Sequence, residues 1–503
     1  MSETASMASA LSSSVDVAAL ADLASKALEE GEEECALPLI ERGASQARSA
    51  LLWQWKGLLE RSLDEHDRAL QSFEEAAKLA PGDASIAHGH ARTAMEAGLD
   101  ARPLYERALA LAPKNGELLV GMAAARAACG EGDIAISDLQ TRLERAPAWL
   151  YGHEQLAQLM ATEGRAAEAT SSLEQALMLF PAAQPLWETL LHVQLRRGAY
   201  GSLKEIVERA RSSGVSAPEF QIYEGIHAAE FDEEAQPAAL FGSFPEAIDK
   251  ALESWRIRHL LRVGEVDAAL PLIDRRLKTD PNAEIWAYTA TAWRLAGDPR
   301  SEWLEGDPRL VSVIDLSDAL PPIKTLAETL RALHVAKGEY LDQSVRGGTQ
   351  TDGPLLSRID PAIRHLRRAI VGAVENFKAQ LPPTDEKHPL LRHPRDRRVR
   401  FTGSWSVRLR SEGHHSNHVH PLGWISSALY VALPERGPGE RQDAGWFTLG
   451  EPDQLLGIDL PPWRKIEPKV AQLVLFPSWM WHGTVPFAEG ERLTVAFDVG
   501  APR

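Results

Sequence analysis

Residues 50–81 read ALLWQWKGLLERSLDEHDRALQSFEEAAKLAP, and this stretch decides how the N-terminal half of the chain is organised. Counted from Ala50, the residues Trp53, Gly57, Ala69, Phe73, Ala76 and Pro81 fall at positions 4, 8, 20, 24, 27 and 32. The following unit repeats the pattern with Gly89, Ala101, Tyr105, Ala108 and Pro113. A weaker third unit carries Ala135, Leu139 and Pro147, and a fourth carries Ala169, Leu173, Ala176 and Pro181. A fifth begins at Trp187 and reaches Ala210; after a less regular stretch the phase returns at Ala269, Ile273, Pro281 and Trp286. Self-similarity at this period is the mark of stacked supersecondary units. Small residues at positions 8 and 20 let two antiparallel helices approach closely, and the larger ones at 4 and 24 fill the remaining space. Proline at 32 ends the second helix because it has no N–H to donate.

This pattern resembles the tetratricopeptide repeat over residues 18–298. The resemblance implies an all-α solenoid in which each helical hairpin buries its apolar face against the next. It also implies a protein or peptide partner bound along the array.

The 503 residues as a whole suggest two to four domains at roughly 100–200 residues each. With 54 Lys/Arg against 71 Asp/Glu the net charge is −17, opposite to the basic footprint of a nucleic-acid binder. The charge is unevenly spread: residues 341–503 hold 21 basic and 18 acidic side chains, a net of +3, which leaves −20 on residues 1–340. Such asymmetry points to two modules with different tasks, and if the acidic module steers a partner, that partner presents a basic segment. Two cysteines, Cys35 and Cys129, are too few for a disulfide framework, so a cytoplasmic protein is expected. The opening MSETASMASALSSSVDVAALADLASKALEE lacks the basic and apolar regions of a signal peptide, and residues 1–17 are expected to be disordered or frayed. No run approaches the ~18 apolar residues of a membrane span.

From Gly297 the helical phase lapses. Residues 299–340 read as a connector, with two Gly-Asp-Pro turns, a short apolar run and a helix expected at Pro322–Lys337. Gln343–Pro354 reads as a loop or edge segment. Asp360–Gln380 has a helical stripe of Ile363, Leu366, Ile370, Val374 and Phe377, with Asp360 and Pro361 suited to its first turn. The arginine-rich segment 392–400 reads as a solvated loop. Beyond Arg400 the period becomes two, and strands are expected at 405–410, 418–420, 425–433, 446–449, 472–476 and 493–499. Short strands without alternating helices indicate an antiparallel sandwich or barrel.

Half of the 16 histidines lie in residues 341–503, five of them in two groups. GHHSNHVHPLGWISSALYV holds His414, His415, His418 and His420, and FPSWMWHGTVP holds His482. On a strand, residues two apart face the same way, so His418 and His420 can present two imidazoles to one point. Trp479 and Trp481 beside His482 read as core or pocket wall.

Five segments in order, QSVRGGTQT, HVHP, SSALYVALP, FPSWMWH and ERLTVAFD, resemble the 2-oxoglutarate-dependent Fe(II) oxygenases, in particular a bacterial branch often fused to tetratricopeptide repeats. The resemblance covers residues 341–503 and implies a double-stranded β-helix, or jelly roll, with flanking helices. It implies Fe(II), 2-oxoglutarate as cosubstrate and O2, with hydroxylation of a protein or peptide side chain as the outcome. Carried over by position, His418 and His482 match the first and distal iron ligands. Arg492 matches the residue that pairs with the far carboxylate of the cosubstrate, and Tyr430 matches a strand position that contacts the same carboxylate; Thr494, two residues after Arg492 on the same strand face, is placed to add a hydrogen bond. The departure is His420, where most of the superfamily has a carboxylate, although the bacterial branch that this segment resembles tolerates His-x-His-Pro. Three neutral imidazoles leave Fe(II) at +2, whereas two imidazoles and a carboxylate leave +1. His414 and His415 remain alternative ligands at this point. Two other readings stay open: a binding scaffold whose jelly roll has lost catalysis, and a three-histidine metalloenzyme that does not use 2-oxoglutarate.

Overall fold

A computed structural model describes residues 2–11, 15–231, 246–341, 343–437 and 439–502. The chain divides into two compact units: one from Met1–Leu139, Asp352–Ala369 and Pro502–Arg503, the other from Gln140–Thr351 and Ile370–Ala501. The division does not follow the charge boundary near residue 340.

In the first unit, helices at Ala50–Ser62, His66–Leu79, Ala84–Glu96, Arg102–Leu111 and Gly116–Ala128 form the repeat hairpins. Each first helix begins on a side chain that accepts orphan backbone N–H groups: Ser49 from Leu52, Asp83 from Ser85 and Ile86, Asn115 from Glu117 and Leu118. The second helices stop at Leu79 and Leu111, just before Pro81 and Pro113. Phe73 is fully buried between two glycines. A Cβ at Gly57 would stand 2.9 Å from its ring, and one at Gly89 would meet the ring from the other side. Tyr105 has the same relation to Gly121. The small residue at position 8 therefore seats the aromatic at position 24 of its own unit and of the unit before. Gly89→Ala is expected to destabilise this unit by about 1–3 kcal/mol, the usual cost of overpacking a filled core; thermal or urea unfolding of the full chain measures it. Residues 352–369 return from the far side of the sequence to this unit, with Ile359 N–H donating to Ala97 at 3.0 Å and Arg367 reaching Asp64. The N-terminal residues, expected to be frayed, carry a helix at Glu3–Ala10 capped by Ser2.

The second unit contains further tetratricopeptide-type helices, including Glu246–Arg262, Val266–Thr279 and Ala283–Leu295, and the whole C-terminal jelly roll. Its strands are β1 (Ser312–Asp315), β2 (Val345–Gln350), β3 (Phe401–His415), β4 (Ile425–Ala432), β5 (Phe447–Leu449), β6 (Arg464–Ile466), β7 (Gln472–Pro477), β8 (His482–Thr484) and β9 (Arg492–Val499). Two antiparallel sheets form, in the orders β1-β7-β4-β9-β3-β2 and β6-β5-β8. The connector thus supplies β1 to one edge of the large sheet, and the segment read as a loop or edge supplies β2 to the other. Residues 418–420, expected as a strand, are not one: only His418 makes a ladder pair, an isolated bridge to His482. The arginine-rich segment is tied down rather than free, with the Arg395 guanidinium donating to the carbonyls of Leu381 and Pro382. The stripe on helix Pro361–Gln380 is buried as its period predicts. No described helix is long and apolar enough to cross a membrane.

The helix Ile323–Leu333 is fastened to the large sheet by His334, which follows its last turn. Its Nδ1 lies 2.9 Å from Thr349 Oγ1 and its Nε2 3.1 Å from Ser406 Oγ. Burial, helped by the cations Arg408 and Arg410, pushes this imidazole down to about 4. An unfolded histidine titrates near 6.5. Between those values the unfolded chain binds the proton and the folded chain refuses it. The contribution is therefore complete above pH ~6.5 and is lost as the pH falls toward 4, on the order of 2–3 kcal/mol. His334→Gln is expected to flatten this part of the stability–pH curve, measured as melting temperature from pH 7.5 to 4.

Candidate metal centre

The backbone sets the three central histidines before their side chains do. His418 and His482 exchange both N–H···O=C bonds at 3.0 Å, and His420 N–H donates to Ser478 at 3.0 Å. His482 opens β8, opposite Leu449 of β5. Val419, between the two ligand candidates, packs the other way, into a cluster with Ile257, Ala287, Tyr288, Ala292 and Trp481. Trp481 also donates its indole N–H to Thr291 Oγ1 at 3.1 Å and meets the Tyr288 ring edge-on. The last repeat helices of this unit therefore grip the chain on both sides of the histidines.

His418, His420 and His482 each offer one nitrogen within 4.8 Å of the others. The second nitrogen of each is already engaged. His418 Nδ1–H donates to Ser416 carbonyl at 2.8 Å, His482 Nδ1–H to Met480 carbonyl at 3.0 Å, and His420 Nδ1–H to Asp498 Oδ1 at 2.6 Å. All three acceptors lack a proton to give, so in the neutral rings every Nε2 is a bare lone pair. Burial and the neighbouring imidazole of His420 hold His418 down to about 3, and burial with the same neighbours holds His482 well below its ordinary range. Yet His418 Nε2 and His420 Nε2 stand 3.1 Å apart. Two lone pairs facing at that distance repel unless a cation lies between them. Nitrogens roughly 2.1 Å from one metal at right angles would be about 3.0 Å apart. The donor set fits a borderline divalent metal such as iron, and each ring has the outer partner that fixes a metal-bound tautomer.

The other end of the same cavity is cationic. His418, His420, His482, Arg492 and Thr494 all line it. Arg492, at the start of β9, is 2% exposed, and its Nε has no hydrogen-bond partner. No carboxylate among the described residues pairs with it, and burial pulls the guanidinium below its ordinary value. The Tyr430 ring lies beside it, with the guanidinium carbon 5.1 Å from the centroid. The Tyr430 hydroxyl is buried beside the same guanidinium, and that burial pushes it up to about 12. A buried cation without an anion is costly, and an acidic ligand in this cavity would compensate it.

Of the alternatives, His415 lines the cavity and stacks against His418 at 5.8 Å, but its Nδ1 is turned to Ser344 Oγ at 3.1 Å and it stays outside the tight cluster. His414 is likewise outside it. Ser344 Oγ also approaches His418 Nε2, at 3.1 Å. Sequence reasoning assigned no role to Ser344, Ser426 or Asp498. Asp498 had a signal: Arg492, Thr494, Ala496 and Asp498 alternate along β9, and a strand puts every second residue on one face.

Residues 403–498, which include the three histidines, Arg492 and Asp498, match a family model described as "Putative 2OG-Fe(II) oxygenase". No protein of curated function matches the chain. Among solved structures, a tetratricopeptide repeat protein from Parabacteroides merdae is similar over 47% of this chain and 97% of its own, at 16% identity and a TM-score of 0.30. MamA from Desulfovibrio magneticus RS-1 covers 37% and 99%, at 16% and 0.28. A Pseudomonas putida prolyl-4-hydroxylase covers 38% and 92%, at 17% and 0.26. Scores this low carry no argument about substrate or chemistry.

Proposed function

We propose that this protein is an Fe(II)- and 2-oxoglutarate-dependent oxygenase that hydroxylates a protein or peptide side chain recruited by its repeat helices. One observation supports the reading above all: three converging imidazole lone pairs share a cavity with a buried arginine that has no anion of its own. Bound iron and cosubstrate supply the chemistry, in which 2-oxoglutarate, O2 and a C–H bond give succinate, CO2 and an alcohol. The chain supplies the site. His418, His420 and His482 hold the metal through Nε2, and burial keeps His418 and His482 from binding a proton that the metal would have to displace. Arg492 takes the far carboxylate through its planar fork, with Thr494 one turn of the pleat further along the same face. Tyr430, its hydroxyl beside Arg492, supplies an additional donor. The apolar walls around His482, among them Phe447 and Phe476, keep water from the reacting end.

The repeat helices give the reading its substrate class: a polypeptide, with a basic segment favoured by the −20 charge of residues 1–340. That step rests on the joining of the two modules in one chain. A cytoplasmic location accords with two free cysteines.

The test is succinate formation by the full chain, loaded anaerobically with Fe(II) and then given 2-oxoglutarate and O2. Succinate that depends on all three is the expected result, with stimulation by a basic peptide. No succinate and no thermal stabilisation by 2-oxoglutarate would overturn it. The absence of a carboxylate among the three converging donors favours a second reading, a three-histidine metalloenzyme without this cosubstrate. It predicts a protein stabilised by metal but indifferent to 2-oxoglutarate.

A further inference from the structure

The donor set has one carboxylate fewer than the pattern of most of the superfamily it resembles, and a carboxylate stands one imidazole ring further back. Asp498 Oδ1 lies 2.6 Å from His420 Nδ1, behind the one histidine that occupies the carboxylate position. Asp498 is 7% exposed, so its charge is little screened by water. Ser426 faces it across the β4–β9 ladder and donates its hydroxyl to the same oxygen at 2.6 Å. Ser426 Oγ in turn lies 2.9 Å from Ser478 Oγ, and Ser478 is the residue whose carbonyl receives His420 N–H. Four groups thus fix one imidazole. The Nδ1 partners of the other two rings are different in kind, both neutral main-chain carbonyls.

We infer that Asp498 is the carboxylate of this metal centre, acting through His420 instead of on the metal. The inference rests on the oxygenase reading of the site. A carboxylate hydrogen-bonded to a ligating imidazole raises the basicity of that ligand and fixes its ring. Three imidazoles leave a divalent ion at +2, and Asp498 brings the local total to +1, the value that two imidazoles and a direct carboxylate would give. The negative charge has moved outward by the width of one ring. Asp498 is therefore a positioning residue whose effect passes through His420 and vanishes when His420 is replaced by a direct carboxylate.

That dependence is the test. Fe(II) affinity is measured anaerobically against a competing chelator in the full chain, together with the visible charge-transfer absorption of the Fe(II)–2-oxoglutarate complex. Asp498→Asn keeps the shape and removes the charge, and is expected to weaken Fe(II) by about 10–100-fold and to shift the absorption band. His420→Asp is expected to retain Fe(II), and adding Asp498→Asn to it is expected to change affinity by less than about threefold, with no further shift of the band. An equal loss in both backgrounds would show Asp498 to be structural only, and no loss in either would show it to be idle; both overturn the inference while leaving the oxygenase reading intact. Wild-type protein that binds no Fe(II), or binds it as well after His482→Ala, would overturn that reading itself and this inference with it.

Discussion

Replacing Arg492 by methionine is expected to abolish the thermal stabilisation of the protein by 2-oxoglutarate while leaving the ligand-free protein at least as stable as wild type. The two halves of this result have opposite signs and a single cause. Arg492 is buried, and no acidic partner among the described residues compensates it. Without ligand it is a desolvated charge, and well-packed apolar replacements of buried ionic groups are neutral or stabilising by about 1–4 kcal/mol. Methionine suits the place because it adapts to irregular space beside an aromatic ring such as Tyr430. With ligand the balance reverses. Truncating one partner of a buried charge pair costs about 2–5 kcal/mol, a loss of roughly thirty-fold to several thousand-fold in affinity. Arg492→Lys belongs between the two, since it keeps the charge but loses the bidentate fork. Melting curves at several 2-oxoglutarate concentrations measure both effects. A methionine variant that still responds to 2-oxoglutarate as wild type does would place the acidic ligand elsewhere.

How much of this was legible in the sequence differs from one feature to the next, for physical reasons. The hairpins were readable because their packing is local: Gly57, Phe73 and Gly89 touch across a single period. The three histidines were readable from their chemistry, although the reason offered for two of them was wrong. His418 and His420 face one point not because they lie on a strand but because His418 bridges to His482 and His420 hangs from Ser478. What could not be read were contacts between distant segments. Nothing in residues 283–295 announces that Thr291 will hold the indole of Trp481, or that Tyr288 will pack with Val419. The same holds for β1, four residues inside an apparent connector, paired with β7 more than a hundred positions away. The charge split suggested two modules set end to end. Instead, the helices of 246–295 share a core with the jelly roll inside one compact unit. Asp498 was missed for a different reason: an acid at the end of a strand reads as a solvated cap until its cross-strand neighbour Ser426 is known.

His482→Ala is expected to remove the metal altogether, and with it at least three orders of magnitude of turnover. His482 is the ring on which the cluster closes, with centroids 4.2 Å from His418 and 4.8 Å from His420, and it comes from a separate strand. Losing it leaves two imidazoles from one short segment and an apolar gap lined by Phe447 and Phe476. Outer-sphere changes already cost about 10–100-fold in metal affinity, so losing one of three direct donors must cost more. The readout is metal content after equilibration with micromolar Fe(II) or Co(II): close to one per wild-type chain and below about a tenth for the variant. Metal that binds only the folded protein stabilises it by RT ln(1 + [M]/Kd), so a chelator should lower the wild-type melting temperature and leave the variant where it was. His482→Asn guards against a trivial loss of folding, because its Nδ2–H takes the place of the Nδ1–H that now satisfies the Met480 carbonyl and no donor remains at the Nε2 position. If the asparagine variant folds as wild type and still binds a full equivalent of metal, the metal does not sit among these three histidines. If it folds and binds none, the facing lone pairs of His418 and His420 have lost the ion that reconciled them, and those two rings should turn apart.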